Sequence, residues 1–183
     1  MATIGVRDLF VAKCTEAPTG ETYGTPRRLA KAIKIEMTTK NAEATLYADD
    51  GVDETVKEFA SGEVKINAND IDDADLAELL GQKQDSDDVL YGHGDDNAPY
   101  WAVGFRAKKS SGKFIYVWLY KVKFGVPDET FDTKTDGITF NTPTITGIFI
   151  KRDKDDRWRA RVTALPSDTV AGSWFTTVRE YAE

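Results

Sequence analysis

The stretch Lys113 to Phe124, KFIYVWLYKVKF, constrains this chain more than any other. Phe114 to Tyr120 are all apolar or aromatic. At period two, Phe114, Tyr116, Trp118, Tyr120, Val122 and Phe124 share one face, and Ile115, Val117 and Leu119 share the other. β-Branched and aromatic residues at this density suit a pleated strand covered on both sides. The run is too short for a membrane-spanning helix. It predicts the central strand of a packed β-domain, with Lys113, Lys121 and Lys123 where the strand emerges into water. No residue in it is a catalytic group.

The rest of the chain supplies partners for that strand. Trp101 to Lys108 alternates, and KKSSG (Lys108 to Gly112) is turn chemistry, so these strands should pair as a hairpin. Strands are also expected near Val6 to Ala12, Ala30 to Thr38 (Ile33, Ile35 and Met37 on one face), and Glu63 to Asn69 (Val64, Ile66 and Ala68 inward). Ile138 to Lys151 reads as a strand interrupted by Pro143, which needs an edge or a bulge. Arg157 to Ala164 alternates, with Trp158, Ala160 and Val162 opposite Arg157, Arg159 and Arg161. Glu16 to Pro26, Gln82 to Asn97 and Gly125 to Gly137 read as loops. Asn41 to Ala60 reads as a long exposed hairpin or loop around Asp49-Asp50-Gly51. Loops of that length in compact domains are usually functional or mobile.

Two helices are expected. Asp72 to Leu80 has Asp72 as N-cap, Ile71 as a staple, acids in the first turn and Gly81 as terminator. Ser167 to Ala182 carries Val170, Trp174 and Val178 at four-residue spacing, widened by Ala171, Phe175 and Tyr181. About eight strands and two helices, with no linker or repeat, predict one mainly β domain over residues 1–183. The architecture is an antiparallel sandwich or partial barrel with flanking helices.

Composition limits function more than it assigns it. Lys and Arg number 24 and Asp and Glu 31, a net charge of -7. That balance disfavours tight nucleic-acid binding, which needs clustered cations. One cysteine, Cys14, precludes an internal disulfide and suits a reducing cytosol. MATIGVRDLF has no basic region followed by an apolar run, so neither a signal peptide nor a membrane partner is expected. His93, the single histidine, lies beside Asp95 and Asp96 without a second histidine or a nearby cysteine, so no metal is expected there. Asp49-Asp50-Gly51 and Asp95-Asp96-Asn97 lack calcium-loop spacing. There is no phosphate loop and no nucleophile elbow. No catalytic, cofactor or metal site is expected. The three arginines are a solvated face, a face that meets acids of a helix or another subunit, or a nucleic-acid surface.

Four motifs in order carry a resemblance. They are LYADDG (Leu46 to Gly51), DDNAPYWAVGF (Asp95 to Phe105), YVWLYKVKF (Tyr116 to Phe124) and TPTITGIFIKRDKDDRW (Thr142 to Trp158). A Trp-Phe-bearing helix, expected at the C-terminus, follows them. The chain resembles the phi13-type major tail proteins of siphophages and their prophages. The resemblance implies a structural virion protein with no enzymatic activity. It implies a tail-tube subunit, made in the host cytoplasm, that forms stacked hexameric rings. The inner strands of each ring join into one continuous β-barrel around a tape-measure protein. Other tail proteins would be partners, and the genome would pass through without tight binding. A closed ring also removes the exposed strand edges of an open sheet, and an acidic balance suits a wall along which DNA slides. The candidate inter-subunit or inter-ring contacts are Leu46, Tyr47, Asp49, Asp50 and Gly51 in the 41–60 segment, together with Arg157, Arg159 and Arg161. Outside the resemblance, two other readings are a monomeric β-sandwich module binding a carbohydrate or small ligand on Tyr91, Tyr100 or Trp101, and a hydrolase using a carboxylate pair.

Overall fold

A computed structural model describes residues 2–48, 51–130, 133 and 141–181. The protein is mainly β, built on one large antiparallel sheet with two helices. In chain order the described strands are β1 (Thr3–Ala17), β2 (Gly20–Tyr23), β3 (Arg27–Ala30), β4 (Ala32–Ala48) and β5 (Gly51–Ala68), followed by helix α1 (Asp73–Leu80). Then come β6 (Lys83–Gln84), β7 (Leu90–Tyr91), β8 (Tyr100–Lys109), β9 (Phe114–Phe124), β10 (Thr144–Ile150) and β11 (Arg159–Ala164), and last α2 (Thr169–Gly172). The two-residue strands β6 and β7 form a separate small ladder.

The main sheet curls until it meets itself. Its order is β2-β1-β8-β9-β10-β5-β4. β3, separated from β4 only by Lys31, pairs back onto β1 at Leu9 to Val11. The chain from Gly20 to Ala48 therefore bridges β1 and β5 and closes a barrel. The interior holds the main core, including Leu9, Val11, Val64, Ile66, Trp101, Val103, Phe105, Val117, Leu119, Ile145 and Phe149. Helix α1 adds Leu76, Leu79 and Leu80, and Ile71 before it is buried in the same cluster. Gly81 adopts the left-handed conformation and its N–H reaches the Ala77 carbonyl, so the helix stops where a glycine can turn.

A second cluster lies on the opposite face of β9. Phe114, Tyr116, Trp118 and Tyr120 pack there against Trp174, Val178 and the half-buried Phe175 of the C-terminal segment. Trp118 Nε1 donates to the Trp174 carbonyl at 2.9 Å, and the Tyr120 hydroxyl donates to the Arg179 carbonyl at 2.6 Å. Gly104 lies opposite Trp118, and a side chain there would bring its Cβ within 2.8 Å of three ring atoms. The indole therefore lies flat over the neighbouring strand, which only glycine permits.

Four expectations change. The period-two face of β9 does not run the whole strand. Trp101 pairs with Val122 but Val103 pairs with Leu119, so Tyr120 and Lys121 together oppose Ala102. This bulge inverts the phase. Val122 and Phe124 join the main core with Val117 and Leu119, and Lys121 is only 3 % exposed instead of emerging into water. The Ile33, Ile35 and Met37 face of β4 is poorly covered, with Ile33 and Met37 exposed, because β4 is an outer strand with a bulge after Ala32. The second helix is only Thr169–Gly172, and the predicted stripe continues as turns. Ser173 returns its hydroxyl to the Thr169 carbonyl, and Gly172, Thr176 and Thr177 weaken helix propagation. Glu16 to Pro26, expected as a loop, contains the end of β1 and all of β2. Part of the strand expected from Ile138 lies outside the described residues, and β10 begins directly after Pro143.

Candidate functional site

The 41–60 segment is the outer half of the hairpin formed by β4 and β5. β10 pairs with β5 only from Gly62 to Asn67. Beyond that, among the described residues, β5 pairs with β4 alone and both outer edges are unpaired. The stretch Gly51 to Ser61 projects as an arm of roughly 35 Å at about 3.3 Å per residue. Every described side chain from Asn41 to Tyr47 and from Gly51 to Glu58 is exposed, with Leu46 at 56 % and Tyr47 at 70 %.

Register gives the arm two different faces. Ala42 opposes Glu58, Ala44 opposes Val56 and Leu46 opposes Glu54. One face is therefore an apolar stripe of Ala42, Ala44, Leu46 and Val56 bracketed by Glu54 and Glu58. The other carries the Glu43–Lys57 ion pair, at 3.2 Å, with Thr45 opposite Thr55 and Tyr47 opposite Val52. Gly51 opens β5 opposite Ala48, while Asp49 and Asp50 lie outside the described residues.

The three arginines separate. Arg157 precedes β11 and is neutralised: its guanidinium bonds Asp155 at 2.9 Å and lies 3.9 Å from the Tyr181 ring centre. Arg159 and Arg161 oppose Leu119 and Val117 and so share that sheet face. Both are exposed, and among the described residues neither has an acid within ion-pair distance. Burial and the neighbouring Arg161 both push the Arg159 guanidinium below its ordinary value. Of the residues expected opposite them, Ala160 and Val162 join the second cluster. Trp158 instead stacks on Phe59 at 4.5 Å and on Phe149 at 5.5 Å. That stack anchors the base of the arm beside the start of β11.

A buried polar clasp, invisible to the residue patterns, holds the turn between β10 and β11. Glu21 of β2 is 2 % exposed. It accepts from the backbone N–H of Asp153 at 2.7 Å and of Lys154 at 3.1 Å, and from Lys121 Nζ at 3.2 Å. Lys121 Nζ also reaches Asp153 at 2.9 Å and Glu16 at 2.6 Å. Burial pushes the Lys121 ammonium towards deprotonation, but the bonds to Glu16, Asp153 and Glu21 outweigh it and hold the charge. Among the described residues, Glu16, Glu21 and Asp153 are the one carboxylate trio close enough to share a metal ion. The ammonium sits among them as their counter-charge, so the trio is a salt-bridge centre. Beside it, Arg152 is 1 % exposed. It forks onto Asp155 through two 2.6 Å bonds, reaches Glu180 at 2.8 Å, and lies 4.1 Å from the Tyr120 ring centre. The clasp ties β2, β9, the 151–158 turn and the C-terminal segment together. A lysine in the middle of a doubly buried strand was the signal available in sequence.

The other candidates do not assemble a site. His93 is exposed, with its Nδ1 accepting from the Asp95 N–H at 3.1 Å and its own N–H donating to Asp96 at 2.6 Å. These bonds describe a loop turn. Trp101 is buried in the main core, so it cannot join Tyr91 and Tyr100 in an exposed aromatic platform. Among the described residues no helix is long and apolar enough to cross a membrane. Among the described residues the surface offers an acidic arm, two arginines without an acid partner and unpaired strand edges. No protein-family model matches the chain, and no curated protein matches it.

Proposed function

We propose that this chain is a self-assembling structural protein, the major tube subunit of a siphophage tail. It stacks as hexameric rings around a tape-measure protein and leaves a channel through which DNA is delivered. The observation that carries the reading is the arm. A two-stranded hairpin alone is marginal in water, and long unpaired edges invite another chain. An arm with its side chains exposed along both strands suits a protein whose working state is the assembly. The β1–β8–β9–β11 strip adds to this. Among the described residues β11 pairs only with β9, and Thr3 to Arg7 of β1 pair only with β8. Two free edges on one strip permit a head-to-tail contact that closes into a ring. That the assembly is a tail tube rests on the resemblance carried by the motif set from Leu46 to Trp158.

The test is negative-stain microscopy with light scattering on the purified chain over a concentration series. The unaltered chain forms rings or tubes, and a variant lacking Thr45 to Glu54 does not. A strict monomer at every concentration overturns the proposal.

A further inference from the structure

The arm needs a receiving surface, and the arginine pair needs acids. We infer that the acidic face of the arm of one copy docks on the exposed row of β11 that carries Arg159 and Arg161 in a second copy. The inference rests on the self-assembly reading and adds the identity of the surface that receives the arm.

Charge is the first support. From Lys40 to Glu58 the sequence holds six acids and two lysines, and one of those lysines, Lys57, is already paired with Glu43. Glu54 and Glu58 flank the apolar stripe with no cation within ion-pair distance among the described residues. Arg159 and Arg161 stand two residues apart on one side of β11, and among the described residues neither has an acid within ion-pair distance. Like charges this close destabilise each other until an opposite charge arrives. The Arg159 guanidinium lies 4.4 Å from the Trp158 ring centre, and burial first, then the Arg161 charge, lower its value.

Shape is the second support. Thr163 opposes Ile115, Ile115 opposes Ala107 and Ala107 opposes Val6, so these residues share the sheet face of Arg159 and Arg161. Ile115, Ala107 and Val6 are half-buried. Val117 and Leu119 beside the arginines are buried in the main core, so the open surface is the β11 row of Arg159, Arg161 and Thr163 with a half-buried apolar rim at Ile115, Ala107 and Val6. The arm presents the complement, an apolar stripe with an acid at each end. Along a strand Glu54 and Glu58 stand roughly 13 Å apart and the two arginines roughly 7 Å. The arginines fall inside the span of the glutamates, and each reaches one of them. The arm of the same molecule does not serve this role. Its base is pinned by the Phe59–Trp158 stack beside Arg159, yet none of its described acids lies within ion-pair distance of either arginine.

Charge exchange in the full chain tests the contact. Arg159→Glu with Arg161→Glu, and separately Glu54→Lys with Glu58→Lys, each lower the assembled fraction at least tenfold in sedimentation and microscopy. Combining all four substitutions restores it to within about twofold. Melting temperature and circular dichroism confirm that each variant folds. The inference is overturned if either pair of substitutions leaves assembly unchanged, or if the fourfold variant folds but does not recover. If removing Thr45 to Glu54 abolishes assembly while the charge pairs do nothing, the arm docks elsewhere and the tube reading stands. If the unaltered chain never associates, both fall together.

Discussion

The arm and the clasp are both rich in charge, and they use it in opposite ways. In the clasp, Glu21, Lys121 and Arg152 are almost wholly buried, and each has several partners within the chain. In the arm, Glu54 and Glu58 face water and have none among the described residues. Burial makes a charge expensive unless it is matched locally. Exposure makes a charge cheap, and leaves it free to meet another chain. Charge that holds the chain together is therefore hidden, and the charge on which the proposed assembly relies is on display.

The largest effect should come from breaking the clasp. Lys121→Met leaves Glu21 without its ammonium and should cost about 3–5 kcal/mol in denaturant unfolding, the usual loss when one partner of a buried pair is removed. Adding Glu21→Gln should return part of that loss, because the two positions are coupled. A loss below about 1 kcal/mol would show that the clasp is no more structural than a surface pair.

Cys14 reports on the same buried region. Burial, and then the Glu21 charge, push its thiol up to about 11. A rise of about two units cuts the thiolate fraction near pH 8 by roughly a hundredfold, so the folded chain should react at least that much more slowly with a thiol reagent than the unfolded chain. Equal rates would mean that the clasp opens freely.

The acid limb of stability should also belong to the clasp. Arg152, with Arg157, holds the Asp155 carboxyl well below its ordinary value against the opposing effect of burial. Such a carboxyl binds its proton more weakly folded than unfolded. Its contribution is complete above the unfolded value, near about pH 4, and is lost as the pH falls towards the folded one. Asp155→Asn should flatten that limb in a pH series of melting temperatures. An unchanged limb would place the dependence elsewhere.

The smallest effect should come from the arm. Glu54→Lys with Glu58→Lys should change the stability of the isolated chain by less than about 0.5 kcal/mol, since exposed positions without local partners carry little. A larger loss would mean that the arm is held by contacts within its own chain.

Much of the β framework was readable because alternation is local. Val64, Ile66 and Ala68, the hairpin of β8 and β9, and α1 with its Gly81 stop all follow from neighbours in sequence. The arm showed itself by the absence of such a pattern, and Leu46, Tyr47, Arg159 and Arg161 could be named before their surroundings were known. Arg157 could not be told from the other two, because Asp155 and Tyr181 reach it only through the turn and the C-terminal segment. The clasp was missed for a related reason. Glu21, Lys121 and Glu180 are far apart in the chain, and no spacing rule connects them.

KFIYVWLYKVKF by itself determined that a strand covered on both faces would stand at the centre of a β-domain, because its period and its β-branched and aromatic content leave few alternatives. Tertiary structure alone decided which face the residues after Tyr120 take. The bulge at Tyr120 and Lys121 costs one residue of register and is set by pairing with β8. It sends Val122 and Phe124 into the barrel and turns Lys121 from an expected surface residue into the buried centre of the clasp.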